Sequence, residues 1–82
     1  MDFVEQIQEL VDRPTELRFR QVQSILYSFS YKLKNSKGSH FRFKKDNFPS
    51  ITIVVHGNKV KKWYVKRMGK ILLSQLPLWK NH

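Results

Sequence analysis

Apolar positions along this chain follow two periods, and the change from one to the other falls at Tyr31. Phe3, Ile7, Leu10 and Val11 recur at helical spacing with acids between them, and Pro14 closes the segment, which predicts a short helix over residues 2 to 12. Thr15 is the expected N-cap of a second helix, residues 18 to 29, whose stripe Phe19, Val22, Ile25, Leu26 and Phe29 reads as core. From Tyr31 the period becomes two. Tyr31 and Leu33 alternate with Lys32 and Lys34; after a turn at residues 35 to 38, Phe41 and Phe43 alternate with His40, Arg42 and Lys44. A third run, Ser50 to His56, sets Ile51, Ile53 and Val55 against Thr52, Val54 and His56. The last helix, residues 61 to 76, buries Tyr64, Val65, Met68, Ile71, Leu72 and Leu76 before Pro77 stops it, and Lys62, Lys66 and Lys70 form a basic stripe on its other side. Gly69 inside that helix costs about 1 kcal/mol relative to Ala, and the pattern supplies no reason for it.

These elements predict an α+β fold: a three-stranded antiparallel meander with helices on one face and the other face open. Two units are expected, an acidic helical arm over residues 1–14 and a body over residues 15–82. The order helix, three strands, helix is the layout of a double-stranded-RNA-binding domain, though a layout alone does not assign a function. Register can be tested on paper. Pairing the second and third strands about Phe48 sets 44 opposite 52, 42 opposite 54 and 40 opposite 56, with Phe43 meeting Ile53 and Phe41 meeting Val55 on the core side. A one-residue slip would mix the faces. That register makes His40 and His56 cross-strand neighbours, with Cβ atoms about 5 Å apart.

Charge narrows the partners. The chain has 82 residues and a net charge of +10. Residues 1 to 16 hold five of the six acids and one base, a net −4, so the remainder carries fifteen bases against Asp46 alone, a net +14. Such density attracts polyanions and speeds their arrival. No cysteine is present, which excludes disulfides, thiolate zinc sites and cysteine nucleophiles. Apolar runs are short and the N-terminus is acidic where a signal peptide would be basic, so a cytoplasmic protein with no membrane partner is expected.

The open face then acquires chemistry. RNA carries its own nucleophile, the 2′-hydroxyl, so cleavage needs a base, an acid for the departing 5′-oxygen and positive charge at the phosphorus. Histidine as a residue type suits both proton transfers. Arg42 and Lys44, with Lys32 and Lys34, supply charge, and the Gly38-Ser39 turn brings backbone and a hydroxyl close to a phosphate. Metal chemistry fits poorly: residues 17 to 82 offer one carboxylate, Asp46, and two histidines make an incomplete zinc site. No metal or other cofactor is expected. Ser39 and His40 are adjacent on a strand and point to opposite faces, which disfavours serine catalysis. Singly, His40 reads as a solvated strand end, His56 as a turn residue, and Arg42 and Lys44 as an ordinary charged face. Their coincidence is what points to a site.

Tyr31-Lys32-Leu33, Lys37-Gly38-Ser39-His40-Phe41-Arg42-Phe43 and Thr52-Ile53-Val54-Val55-His56-Gly57-Asn58-Lys59, followed by the basic helix, resemble the HicA family of bacterial toxins over residues 18 to about 76. The resemblance implies a small mRNA interferase with a double-stranded-RNA-binding-like fold. It implies that His40 is catalytic in metal-free RNA cleavage, with Gly38 and Ser39 shaping the site. His56 matches the family's strand-end histidine, either a second acid/base or a structural residue. Lys37, Arg42 and Lys44 would hold phosphates, with Lys59 and Lys62 near the last helix as a second phosphate contact. A HicB-like antitoxin would cover the active face, and DNA would be met only through it. Three departures stand out: Ser30 where a Gly often ends the fold's first helix, Val54 in place of a proline, and Trp63-Tyr64-Val65 in place of a Gly-Thr-Leu-like helix start. The alternative is an RNA-binding module that uses the same face without chemistry. A DNA-binding regulator is weaker, for no helix-turn-helix spacing is present.

Overall fold

The helical stripes Val22–Leu26 and Val65–Met68–Leu72 and the strand residues Phe43, Ile51 and Ile53 are all buried and share one core. In the computed structural model, which describes residues 3–76, that core lies between helices and an antiparallel sheet. The elements in order are α1 (Phe3–Asp12), β1 (Leu17–Arg18), α2 (Phe19–Ser28), β2 (Lys32–Lys37), β3 (His40–Lys44), β4 (Ile51–Val54), β5 (Lys59–Val60) and α3 (Lys62–Leu73). The fold is α+β, with three helices and a three-stranded sheet of order β2-β3-β4. Asp2 and Pro77, which bounded the expected first and last helices, lie outside the described residues. No helix among the described residues is long and apolar enough to cross a membrane.

A second ribbon was not foreseen. Leu17 pairs with Val60 and Arg18 with Lys59, so the chain entering α2 is extended and the helix starts at Phe19. The cap position is therefore Arg18 rather than Thr15, and the Arg18 N–H donates to the Gln21 side-chain oxygen at 3.0 Å. At its other end α2 closes in a Schellman motif: Tyr31 N–H donates to Leu26 O and Ser30 N–H to Tyr27 O, both at 3.0 Å. Ser30 takes the left-handed conformation, φ 69°, that glycine adopts more readily.

Helix α1 lies across α3, and its Ile7 is 1 % exposed within the core. Gly69 has its explanation there. A Cβ at this position would sit 2.8 Å from Val11 Cγ2, so the missing side chain is what lets the two helices approach. Phe3 adds a ring contact with Phe29 at 5.1 Å between centroids.

The third core feature is polar. Gln75, 3 % exposed, donates to the Tyr31 hydroxyl oxygen at 2.9 Å, Tyr31 donates to Pro49 O at 2.8 Å, and Lys45 donates to the Gln75 side-chain oxygen at 2.9 Å. Burial pushes the Tyr31 hydroxyl above its ordinary pKa, partly offset by the bond from Gln75, and burial lowers that of Lys45. The segment after α3 is thus tied to the start of β2 and to the loop beyond β3. Turn residues follow Leu73, so the last helix ends three residues short of the expected 76.

Candidate functional site

Strand pairing decides which side chains meet. Lys37 lies opposite His40, Asn35 opposite Arg42 and Lys32 opposite Lys44 across β2 and β3, while His40 lies opposite Val54 and Arg42 opposite Thr52 across β3 and β4. The core-side pairs are Phe41 with Ile53 and Phe43 with Ile51. The predicted register is corrected by two residues: His40 faces Val54, not His56. A shift of two preserves the alternation, so the faces are as expected while the cross-strand partners are not. Lys34 falls at a bulge between Leu33 and Asn35, out of line with the row.

His40, Arg42, Lys44, Lys37 and Lys32 are all exposed on this open face. Val54 belongs to the same face yet is 8 % exposed and stands outside the main core cluster. An apolar floor therefore lies directly across from His40. Asp46, the lone carboxylate of residues 17 to 82, sits in the β3–β4 loop at the far end of the sheet from His40.

The near end is built from two tight turns. Lys37 and His40 flank the two-residue turn Gly38-Ser39, so the turn is shorter than the expected residues 35 to 38. Gly38 has φ 60° at the first central position and Ser39 does not have a positive φ, the signature of a type II′ hairpin. Val55 N–H donates to Ser39 O at 2.8 Å, which fastens this turn to the end of β4. Beyond it, His56 and Lys59 exchange backbone hydrogen bonds of 2.8 and 2.9 Å around Gly57-Asn58, with φ 53° and 67°, a type I′ hairpin. Phe19 N–H donates to Asn58 O at 2.8 Å, docking this hairpin on the start of α2.

One end of the sheet consequently gathers the Gly38-Ser39-His40 turn, the His56–Lys59 hairpin and the first residues of α2 and α3. His56 and Lys59 are exposed there, and Lys62 is exposed in the first turn of α3. Lys59 approaches Glu16 at 3.8 Å, a solvated pair. An open cleft of about 860 Å³ is lined by Arg18, Arg20, Gln21, Gln23, Asn58 and Lys59 among others. Arg18 and Arg20 were missed as site residues. Their charge was visible beside Phe19, but only the docking of the second hairpin makes them neighbours of Lys59. Among the described residues no three His, Cys, Asp or Glu side chains gather into a metal-binding group.

The family model described as HicA toxin of bacterial toxin-antitoxin matches residues 19–76, from the first residue of α2 to the last described residue. No curated protein and no solved structure was found to match the chain.

Proposed function

Because the chain belongs to the HicA toxin family, we propose that it is the toxin of a toxin-antitoxin pair and a metal-independent endoribonuclease with His40 as its catalytic acid/base. The observation that carries this reading is the setting of His40: exposed, at the mouth of the Gly38-Ser39 turn, opposite Lys37, in a row with Arg42 and Lys44 and with no carboxylate on the face. A phosphate seated against Lys37 and Arg42 would bring the adjacent 2′-hydroxyl within reach of the imidazole. The base takes the hydroxyl proton, the oxygen attacks phosphorus, and the 5′-oxygen leaves with a proton from an acid. The products are a 2′,3′-cyclic phosphate and a 5′-hydroxyl. Lys37 and Arg42 stabilise the charge that builds on the phosphoryl oxygens, and the Gly38-Ser39 turn shapes the site.

In this reading residues 15–82 form a double-stranded-RNA-binding-like body to which the acidic residues 1–14 are added. Lys59 and Lys62 hold a neighbouring phosphate. A HicB-like antitoxin neutralises the toxin by covering the open face, and it brings DNA binding that this chain does not need.

The test is RNA cleavage in excess chelator by the wild type, His40→Ala and His56→Ala. General acid–base groups contribute about 10²- to 10⁴-fold, so His40→Ala should cleave at least about 100-fold more slowly with RNA affinity retained. His56 closes its hairpin through backbone atoms, so His56→Ala keeps that turn and a comparable loss of rate would assign it the second proton transfer. Equal RNA binding with no cleavage by the wild type would sink the enzyme reading in favour of the non-catalytic module.

A further inference from the structure

Tryptophan is on average among the more buried residue types, yet Trp63 in the first turn of α3 is 60 % exposed. The buried stripe of this helix is Val65, Met68 and Leu72, and Trp63 stands on the opposite side with Lys62, Lys66, Arg67 and Lys70, all exposed. Lys66 and Arg67 follow it by three and four positions and so flank it on the helix surface. The Lys61 ammonium stands over the indole, 6.0 Å from the ring centroid. No acid occurs between Lys59 and the end of α3.

We propose that Trp63 is a stacking platform for a base of single-stranded RNA whose flanking phosphates are held by Lys61, Lys62 and Lys66. This rests on the RNA reading of the open face and adds to it a recognition element apart from the chemistry. An exposed flat indole on a helix side that carries several cations suits a ligand that alternates π-faces with negative charge. A protein hot spot would instead sit in an apolar, water-excluding surround. Position agrees. Trp63 follows β5 by three residues, β5 begins at Lys59, and Lys59 bridges to His56 at the end of the sheet that carries His40. A strand that leaves His40 around this end of the sheet reaches the basic first turn of α3, with the indole on the outer side of that helix.

The chain has two tryptophans, so Trp79→Phe leaves Trp63 as the sole indole reporter. The probe is a fully 2′-O-methylated oligonucleotide, which lacks the attacking hydroxyl and stays intact whether or not the protein cleaves RNA. Binding should quench Trp63 fluorescence, and the same sugar-phosphate chain made abasic should bind without quenching. Trp63→Ala should weaken binding about 5- to 100-fold with an unchanged salt dependence, and Trp63→Phe should restore most of it. Lys61→Ala should instead lower the slope of log affinity against log salt by about 0.7. Thermal unfolding midpoints equal to that of the parent establish that the variants fold. Absence of base-dependent quenching, or equal affinity in Trp63→Ala, overturns the proposal. So does weakened binding of the antitoxin with RNA binding untouched, which would make the indole a protein contact. Failure of the wild type to cleave unmodified RNA would sink the nuclease reading alone.

Discussion

Gly69→Ala tests the crossing of α1 on α3 with a single methyl group. In a solvated helix interior the substitution stabilises by about 1 kcal/mol, because Ala loses less backbone freedom. Here the new Cβ meets Val11 Cγ2 at 2.8 Å, closer than carbon atoms tolerate, while Ile7 O at 3.6 Å and Leu10 Cβ at 3.8 Å are in ordinary contact. Val11 is β-branched and stiff, so relief requires α1 to move, which disturbs the burial of Ile7. Overpacking of this kind costs about 1 to 3 kcal/mol, so the net expectation is a loss of about 1 kcal/mol. Removing the obstructing methyls reverses the sign: in a Val11→Ala background, Gly69→Ala should stabilise by up to about 1 kcal/mol. The two sites are thus coupled by about 2 kcal/mol, measurable as a double-mutant cycle from urea unfolding with a common m-value. For a domain of this size that coupling amounts to roughly 8 to 16 °C in Tm. A stabilising Gly69→Ala in the wild-type background, or an identical effect in both backgrounds, would refute the close crossing.

Two further substitutions test the segments that frame the sheet. Ser30→Gly relieves the left-handed strain of the α2 Schellman motif and should raise stability by about 0.5 to 1 kcal/mol; any decrease contradicts the cap. Tyr31→Phe removes the hydroxyl between Pro49 O and the buried Gln75 amide and should cost about 1 to 3 kcal/mol near neutrality. The folded pKa of Tyr31 lies above its ordinary 10.0, so its contribution is complete below that pH and is lost as pH rises through the folded value. The stability gap between wild type and Tyr31→Phe should therefore narrow above pH 10.0 in urea unfolding, and a gap that widens would reverse the assigned direction.

The faces of the sheet were legible in the alternation of Phe41, Phe43, Ile51 and Ile53, because burying these four on one side forces His40 and Arg42 to the other. The register was not, because a shift of two residues satisfies the same pattern. What selects it is the loop: Asn47 takes φ 69°, and Phe48 N–H donates to Lys45 O, closing a turn that centres the pairing on residue 47 rather than 48. Local chemistry of this kind outweighed symmetry about an apolar residue. Thr15 failed as a cap for a different reason. Threonine suits a cap by residue type, whereas Leu17 and Arg18 pair with a strand more than forty residues away. Gly69 could be noticed in the sequence but not explained, since its reason is a neighbouring helix. Arg18, Arg20 and Trp63 became site candidates only once the turns had placed them.

The corrected register alters what the two histidines can do in the cleavage reading. In-line attack sets the entering 2′-oxygen and the leaving 5′-oxygen on opposite sides of phosphorus, so one imidazole in a fixed position does not reach both. Directly paired histidines, with Cβ atoms about 5 Å apart, would leave little room for a phosphate between them. In the observed pairing His56 is two positions beyond Val54, the partner of His40, and the Val55 to Ser39 hydrogen bond continues the ladder to that level. Extending that register by two residues makes the histidines diagonal neighbours, a relation that typically separates the backbones by about 7 to 8 Å and the Cβ atoms by somewhat less. In the cleavage reading that offset would leave room for a phosphate between the imidazoles, and the nearly buried Val54 lies across from His40. Lys37 lies across from His40 on the opposite strand, where in the cleavage reading its charge would face the phosphoryl oxygens. In the cleavage reading, the two-residue displacement therefore replaces a directly facing pair by an offset one, which is the arrangement a two-histidine phosphoryl transfer would use.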